Sequence, residues 1–276
     1  RVTIRNIGIT GPGRGMNAST GRTRLLNVHF YDNYEEGLVI AGNGTVFFAG
    51  GSVTNSGLEG IAVESGNLEI EDVEISGNNF GIDASMAKIV LENTRVIDNR
   101  AIGINVTDNS SLRISDSAVT GNTGVGVQVF NNSTLFAERA DVSGNGSSGV
   151  AVRNNSNADI DACTIGNNAQ VNPNRSGVFV SMSSTVTIDS TEIFGNQTGV
   201  GASRHSFVTL TGTSVVRDNF RDGVRLVLDS GAFVDDPVSI PQNGAEFAVF
   251  CNDTESSLEN QSTGVGWTNC TGFDSP

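Results

Sequence analysis

Apolar and polar residues alternate in short bursts along almost the whole chain, and turn residues separate the bursts. Leu68-Glu-Ile-Glu-Asp-Val-Glu-Ile-Ser-Gly-Asn78 leads to Gly81-Ile-Asp-Ala84. Leu112-Arg-Ile-Ser-Asp-Ser-Ala-Val-Thr-Gly-Asn122 leads to Gly126-Val-Gln-Val129, and the unit starting at Leu135 leads to Gly149-Val-Ala-Val152. Alternation with period two makes a strand with one buried face. The bursts are too short for helices, and Gly, Asn and Ser punctuate them. Units begin near Val2, Thr23, Val46, Leu68, Ile89, Leu112, Leu135, Ala158, Val186, Val208 and Phe233. The intervals are 21–25 residues, with one of 28. One such unit cannot bury its apolar side alone, but stacked units bury it in a continuous column. At about 4.8 Å per rung, eleven rungs span roughly 50 Å. The pattern predicts an all-β fold, a single-stranded right-handed parallel β-helix over residues 1–250. The repeat stops there, and residues 251–276 are expected to form a C-terminal cap. A leucine-rich repeat has a similar period, but its helix and its LxxLxLxxN core are absent.

Asn recurs at one turn of the unit, at Asn33, Asn55, Asn78, Asn99, Asn122, Asn145 and on to Asn243. Asn accepts the left-handed backbone of a sharp turn. Stacked amides can also bond from rung to rung. The column is therefore expected to be structural. A glycine opens the next strand in most units, for example Gly81, Gly103 and Gly126. It is expected to supply a positive φ or a tight corner. No helix follows it, so it is not a phosphate loop.

With its Ser76-Gly-Asn78 and Gly81-Ile-Asp-Ala84 units, the chain resembles the pectin-lyase-like superfamily of parallel β-helices over about residues 1–250. The resemblance implies the fold. It leaves the activity open among pectate lyases, polygalacturonases, alginate epimerases and lyases, tailspikes and non-catalytic surface repeats. Superfamily active clefts lie on the outer face of one sheet, flanked by longer turns. Blocks such as NTD with DD and GHG, WxDH, or DPHD are absent, and Asp235-Asp236-Pro237 matches a DD pair only by letters.

Charge narrows the partners. Lys+Arg 16 against Asp+Glu 30 gives −14, which repels phosphate backbones and argues against nucleic acid. No apolar run is long enough for membrane insertion as a helix. Lys88 is the only Lys. Cys251 and Cys270 can close a terminal loop as a disulfide, while Cys163 falls at an inward position as a small core residue. Trp267 and Phe273 are expected to cover the last rung. No such lid precedes Arg1, so the chain is expected to belong to a longer one, or to an assembly joined through its N-terminal edge. A secreted or cell-surface location is expected.

The outward positions of the Gly-Φ-x-Φ strand hold the candidate chemistry. Glu64 and Asp83 stand on adjacent rungs, at a separation suited to a pair of glycosidic carboxylates. The bland alternative is two solvated acids on an acidic protein. Arg153 is the candidate neutraliser of a uronate in an elimination, with Asp83; Arg225 with His205 is a second set. Asn105, Gln128, Phe130, Phe179 and Arg225 are candidate ligand-binding residues, since exposed aromatics stack on sugars and Arg binds carboxylate or sulfate. The long turn over 166–176 beside them offers a simpler reason for the exposed-looking aromatics, as cover. Acid-rich turns such as Asp98-Asn99 allow calcium without requiring it, and no metal site or cofactor is implied. The leading expectation is non-catalytic binding of a polysaccharide or cell-surface glycan, or a structural role. A polysaccharide lyase, glycoside hydrolase or epimerase is the alternative.

Overall fold

In a computed structural model of the chain, twelve strands from Val2–Ile9 to Ser257–Asn260 lie in register along one parallel sheet. The structure describes residues 1–169, 175–244, 247–253, 255–266 and 268–270. A second parallel sheet has eleven strands, from Met16–Ala18 to Val249–Cys251, and a third short sheet runs from Thr164–Gly166 to Gly264–Val265. In the first rungs the long strands, such as Gly66–Ser76, serve the first and third faces together. All described elements are strands, wound as a β-helix. Strands continue past residue 250, so Ser257–Asn260 and Gly264–Val265 extend the sheets into the segment expected as a cap. Cys251 and Cys270 are bonded there. Trp267, Phe273 and the middle of the 166–176 turn lie outside the described residues.

One lap explains the rest. Leu112 and Ile114 point inward from the first face, Val119 from the third, Val127 and Val129 from the second, and all are buried. Val127, Val150, Val178, Val200, Val224 and Val249 follow one another in register. Each buried Val side chain contributes about 1.5–2 kcal/mol relative to exposure.

The corners are held by polar side chains. The Asn122 amide nitrogen donates to Asn145 Oδ1 at 3.0 Å and to the Val96 carbonyl at 3.1 Å. Its Oδ1 accepts the Asn99 backbone N–H at 3.1 Å and the Asn99 amide at 2.9 Å. The same bonds run from Asn78 to Asn243. Two expectations change. In the third rung the column position is Ser56, buried, whereas Asn55 is exposed. The left-handed residue of this turn is the one before the column member, as at Asn55 (φ 56°) and Asp98 (φ 53°). The rung glycine does not take a positive φ either. A Cβ on Gly103 would stand 2.7 Å from the Gly126 carbonyl oxygen and 2.8 Å from the Asn122 amide nitrogen. The glycine is there because the next rung and the Asn column press on it.

A second corner uses serine. The N–H of Ser110 donates to Ser133 Oγ at 3.2 Å, and the pattern continues through Ser156, Ser184, Ser206 and Ser230 to Ser256. Cys163 belongs to the third corner, in line with Thr191 and Ser214. It is buried, and its sulfur accepts the Ala140 N–H at 3.4 Å. Burial pushes its thiol up to about 11.

Asn122→Ala should destabilise the protein by about 2–4 kcal/mol, because it orphans the Val96 carbonyl and the Asn99 N–H inside the fold. Asn55→Ala should change stability by less than about 1 kcal/mol. Urea denaturation of the two variants checks the assignment; equal losses would contradict it.

Candidate functional site

The second sheet sets a row of outward side chains one rung apart. Asp83, Asn105, Gln128, Ala151, Phe179, Gly201, Arg225 and Phe250 follow in register. The neighbouring row runs through Phe130, Arg153, Ser181, Ser203 and Val227. Most of these residues are half-buried, and Ala151, Ser181 and Ser203 are buried although they face outward.

Its first rungs are acidic. Glu36 is buried and pairs with Arg14 at 2.7 Å; Glu35 lies 3.5 Å from the same guanidinium. Glu59 stands one rung on from Glu36, through the backbone bond of Gly37 to Glu59. Burial, with Asp83 and Glu36 nearby, holds its carboxyl above the usual range. Glu64 is exposed just past the strand Ile61–Val63. Asp83 is half-buried and accepts the Asn105 amide at 2.7 Å; Asn105 in turn accepts the Gln128 amide at 2.9 Å. Glu59 was not among the residues singled out from sequence. Its signal is the position before the rung glycine, shared with Arg14, Glu36 and Asp222.

The later rungs are cationic and aromatic. The Arg153 guanidinium lies over the Phe179 ring, 5.0 Å from its centroid. Its Nε is buried without a hydrogen-bond partner. Arg153 makes no ion pair among the described residues. Burial, and then the nearby charges of Arg175 and Arg204, push its pKa down. Three cations thus gather on a protein with a net charge of −14. Arg225 differs: it donates to Asp222 at 2.9 Å and covers Phe250 at 4.5 Å. Between Phe179 and Arg225 stands the buried Gly201, where a Cβ would meet Ser176 Oγ at 2.6 Å. Phe130 sits beside Arg153 in register.

The candidate residues therefore form two groups. Asp83 and Glu64 stand at the acidic end, and Arg153 lies three rungs away, about 14 Å. Asn105 and Gln128 bridge the interval. Arg225 lies further on. His205 is exposed in a turn, 3.3 Å from Asp229, and His29 bonds Ser52 at the other end of the rod. Arg204 and His205 also end a groove of about 560 Å³ that runs past Asn155, Asn132 and Asp108. Hydrogen bonds from Thr107, Asn131 and Ser85 hold the Asp108 carboxyl low. Among the described residues no three His, Cys, Asp or Glu side chains gather as a metal-holding group.

The family described as "Right handed beta helix region" matches residues 14–138 and 102–263. The chain belongs to that family. No curated protein matches it in sequence. Solved structures do match in shape. The catalytic domain of Agl-KA shares 12% identity at a TM-score of 0.77, covering 99% of this chain and 62% of that one. The A-module of the Azotobacter vinelandii mannuronan C-5 epimerase AlgE6 shares 14% at 0.72, covering 99% and 88%. The periplasmic alginate epimerase AlgG shares 14% at 0.63, covering 93% and 76%. At these identities the likeness is one of fold.

Glu59 predicts a pH effect. Its raised pKa means that the folded state holds the proton more tightly than the unfolded one. Its contribution is present below about pH 4 and is lost as pH rises through the folded value. Glu59→Gln should therefore raise the thermal midpoint near pH 7 and leave it unchanged below about pH 4. Melting curves at the two pH values check the sign.

Proposed function

We propose that this β-helix binds an acidic polysaccharide or cell-surface glycan, without turning it over, along the outer face of its second sheet. The observation that carries the reading is Arg153: half-buried, short of a hydrogen-bond partner at Nε, and crowded by Arg175 and Arg204. A carboxylate or sulfate there would relieve the repulsion and accept charge-assisted hydrogen bonds. Phe130 and Phe179 offer apolar surface beside the anion. Asn105 and Gln128 would meet hydroxyls further along. Two structural neighbours are alginate epimerases, which supports an acidic polymer as the ligand. The Cys251–Cys270 bond supports an oxidising, secreted or surface location. The reading needs no cofactor.

The acidic end favours one second reading. Glu59 with a raised pKa beside Asp83 is a proton donor next to a base, the pairing used by enzymes that cleave or epimerise sugars. In that reading Glu64 and Asp83 would carry the chemistry, and Arg153 would bind substrate from three rungs away.

Binding to a polyuronate, a sulfated glycan and a neutral glucan separates these readings, with ultraviolet absorbance and reducing ends followed in the same samples. The polyanions should bind and the neutral glucan should not. Arg153→Gln should weaken binding about tenfold or more. Equal binding of neutral and acidic polymers would contradict the proposal. So would turnover that disappears in Asp83→Asn or Glu64→Gln.

A further inference from the structure

A polar track borders the second sheet, at the corner where that sheet turns into the first. In six successive rungs, from Asp108-Asn109 to Leu228-Asp229, this corner is a pair of residues that both take the left-handed backbone. Backbone bonds stack the pairs. The N–H of Asn109 donates to the Asn131 carbonyl, that of Asn132 to the Asn154 carbonyl and that of Ser183 to the Arg204 carbonyl, each at 3.0 Å. The corner side chains therefore form two columns along the rod, with one member of each per rung.

The inner column is bonded within itself. The Asn131 amide donates to Asp108 at 3.0 Å, and the Asn154 amide to Asn131 Oδ1 at 3.0 Å. The outer column is open. Asn109, Asn132 and Asn155, then Ser183 and His205, are exposed, and among the described residues no side chain bonds the three amides. Carboxylates stand only at the ends of the track, Asp108 in its first pair and Asp229 in its last. The four pairs between them carry none, on a chain with 30 Asp and Glu. The groove of about 560 Å³ lies over this stretch, from Asp108 to His205. Arg204 lines the groove and also serves the neighbouring face, since its charge reaches Arg153.

We infer that the acidic glycan held at Arg153 continues past Arg204 into this groove and lies lengthwise along it, its hydroxyls and carboxylates accepting from the amides of Asn155, Asn132 and Asn109. The inference rests on the reading that the protein binds such a polymer; it adds where the polymer lies and how much of it is held. Amides on successive rungs offer the same donor about every 4.8 Å, close to the length of one sugar residue in an extended chain. A repeating ligand thus meets a repeating protein surface. Asp108 to Arg204 is four rungs, about 19 Å, which takes about four sugar residues. Arg204 supplies the charge-assisted bond. The carboxylates of Asp108 and Asp229 repel acid groups beyond either end, which bounds the held length.

Calorimetric titration of the 276-residue chain with oligouronates of increasing length tests this. Affinity should rise with each added sugar up to about four and then level off. Asn132→Gly with Asn155→Gly removes two amides and keeps the left-handed turn. That double variant should bind the tetramer and longer oligomers about tenfold more weakly and flatten the dependence on length. In the unsubstituted protein the side-chain amide signals of Asn132 and Asn155 should shift during the titration when followed by nuclear magnetic resonance. Affinity that ignores length would overturn the inference. So would a double variant that binds the tetramer as the parent does, or amide signals that stay in place while the ligand binds. If Arg153→Gln still loses binding in those cases, the polymer lies on the sheet face alone and the binding reading stands. Absence of binding at every length overturns the inference and, if the polyuronate itself also fails to bind, the reading beneath it.

Discussion

A chain that turns three corners per lap exposes backbone N–H and carbonyl groups at each corner, inside a wall that water does not reach. Everything else in this protein depends on how those groups are satisfied. At one corner the answer is an Asn whose oxygen takes two hydrogen bonds from the preceding rung and whose nitrogen gives two, one of them to the next Asn. At a second corner it is a Ser hydroxyl, and at the third Thr, Ser or Cys163. Buried polar groups without partners would cost about 1–3 kcal/mol each, repeated every lap. Satisfied, they hold successive laps in one register, so the Val column from Val127 to Val249 packs without slippage.

That register also writes the outer surface. A residue placed outward in one rung stands beside its counterpart in the next, so single substitutions become rows. Rows of like charge build up unless something interrupts them. Along the second sheet the Asp83 carboxylate accepts the Asn105 amide, Asn105 accepts the Gln128 amide, and the row ends among Arg and Phe. Arg225 has Asp222 within its own rung, and Arg153 has no such carboxylate among the described residues.

The fold was legible because period-two alternation, the Gly-Asn turns and the spacing of rungs all point to one architecture. The errors lay within turns, where period two gives no guidance. Asn55 and Ser56 are adjacent small polar residues, and only the geometry shows that the left-handed residue precedes the buried one. The rung glycine was expected to supply a positive φ or a tight corner; it takes no positive φ, and the neighbouring rung presses on it, which no local pattern reveals. Glu59 precedes that glycine, outside the alternating stretch, so its direction could not be assigned. The outward placement of Asp83, Asn105, Gln128 and Phe179 was legible from alternation. That Arg153 meets Arg175 and Arg204 was not, because those residues arrive from later laps.

The most direct measurement is side-chain amide hydrogen exchange by nuclear magnetic resonance. If the Asn column holds the laps together, the amide protons of Asn99, Asn122 and Asn145 exchange as slowly as the backbone of the central strands, while those of Asn109 and Asn132 exchange at the rate of exposed amides. Fast exchange at Asn99, Asn122 and Asn145 in the folded protein would contradict the account.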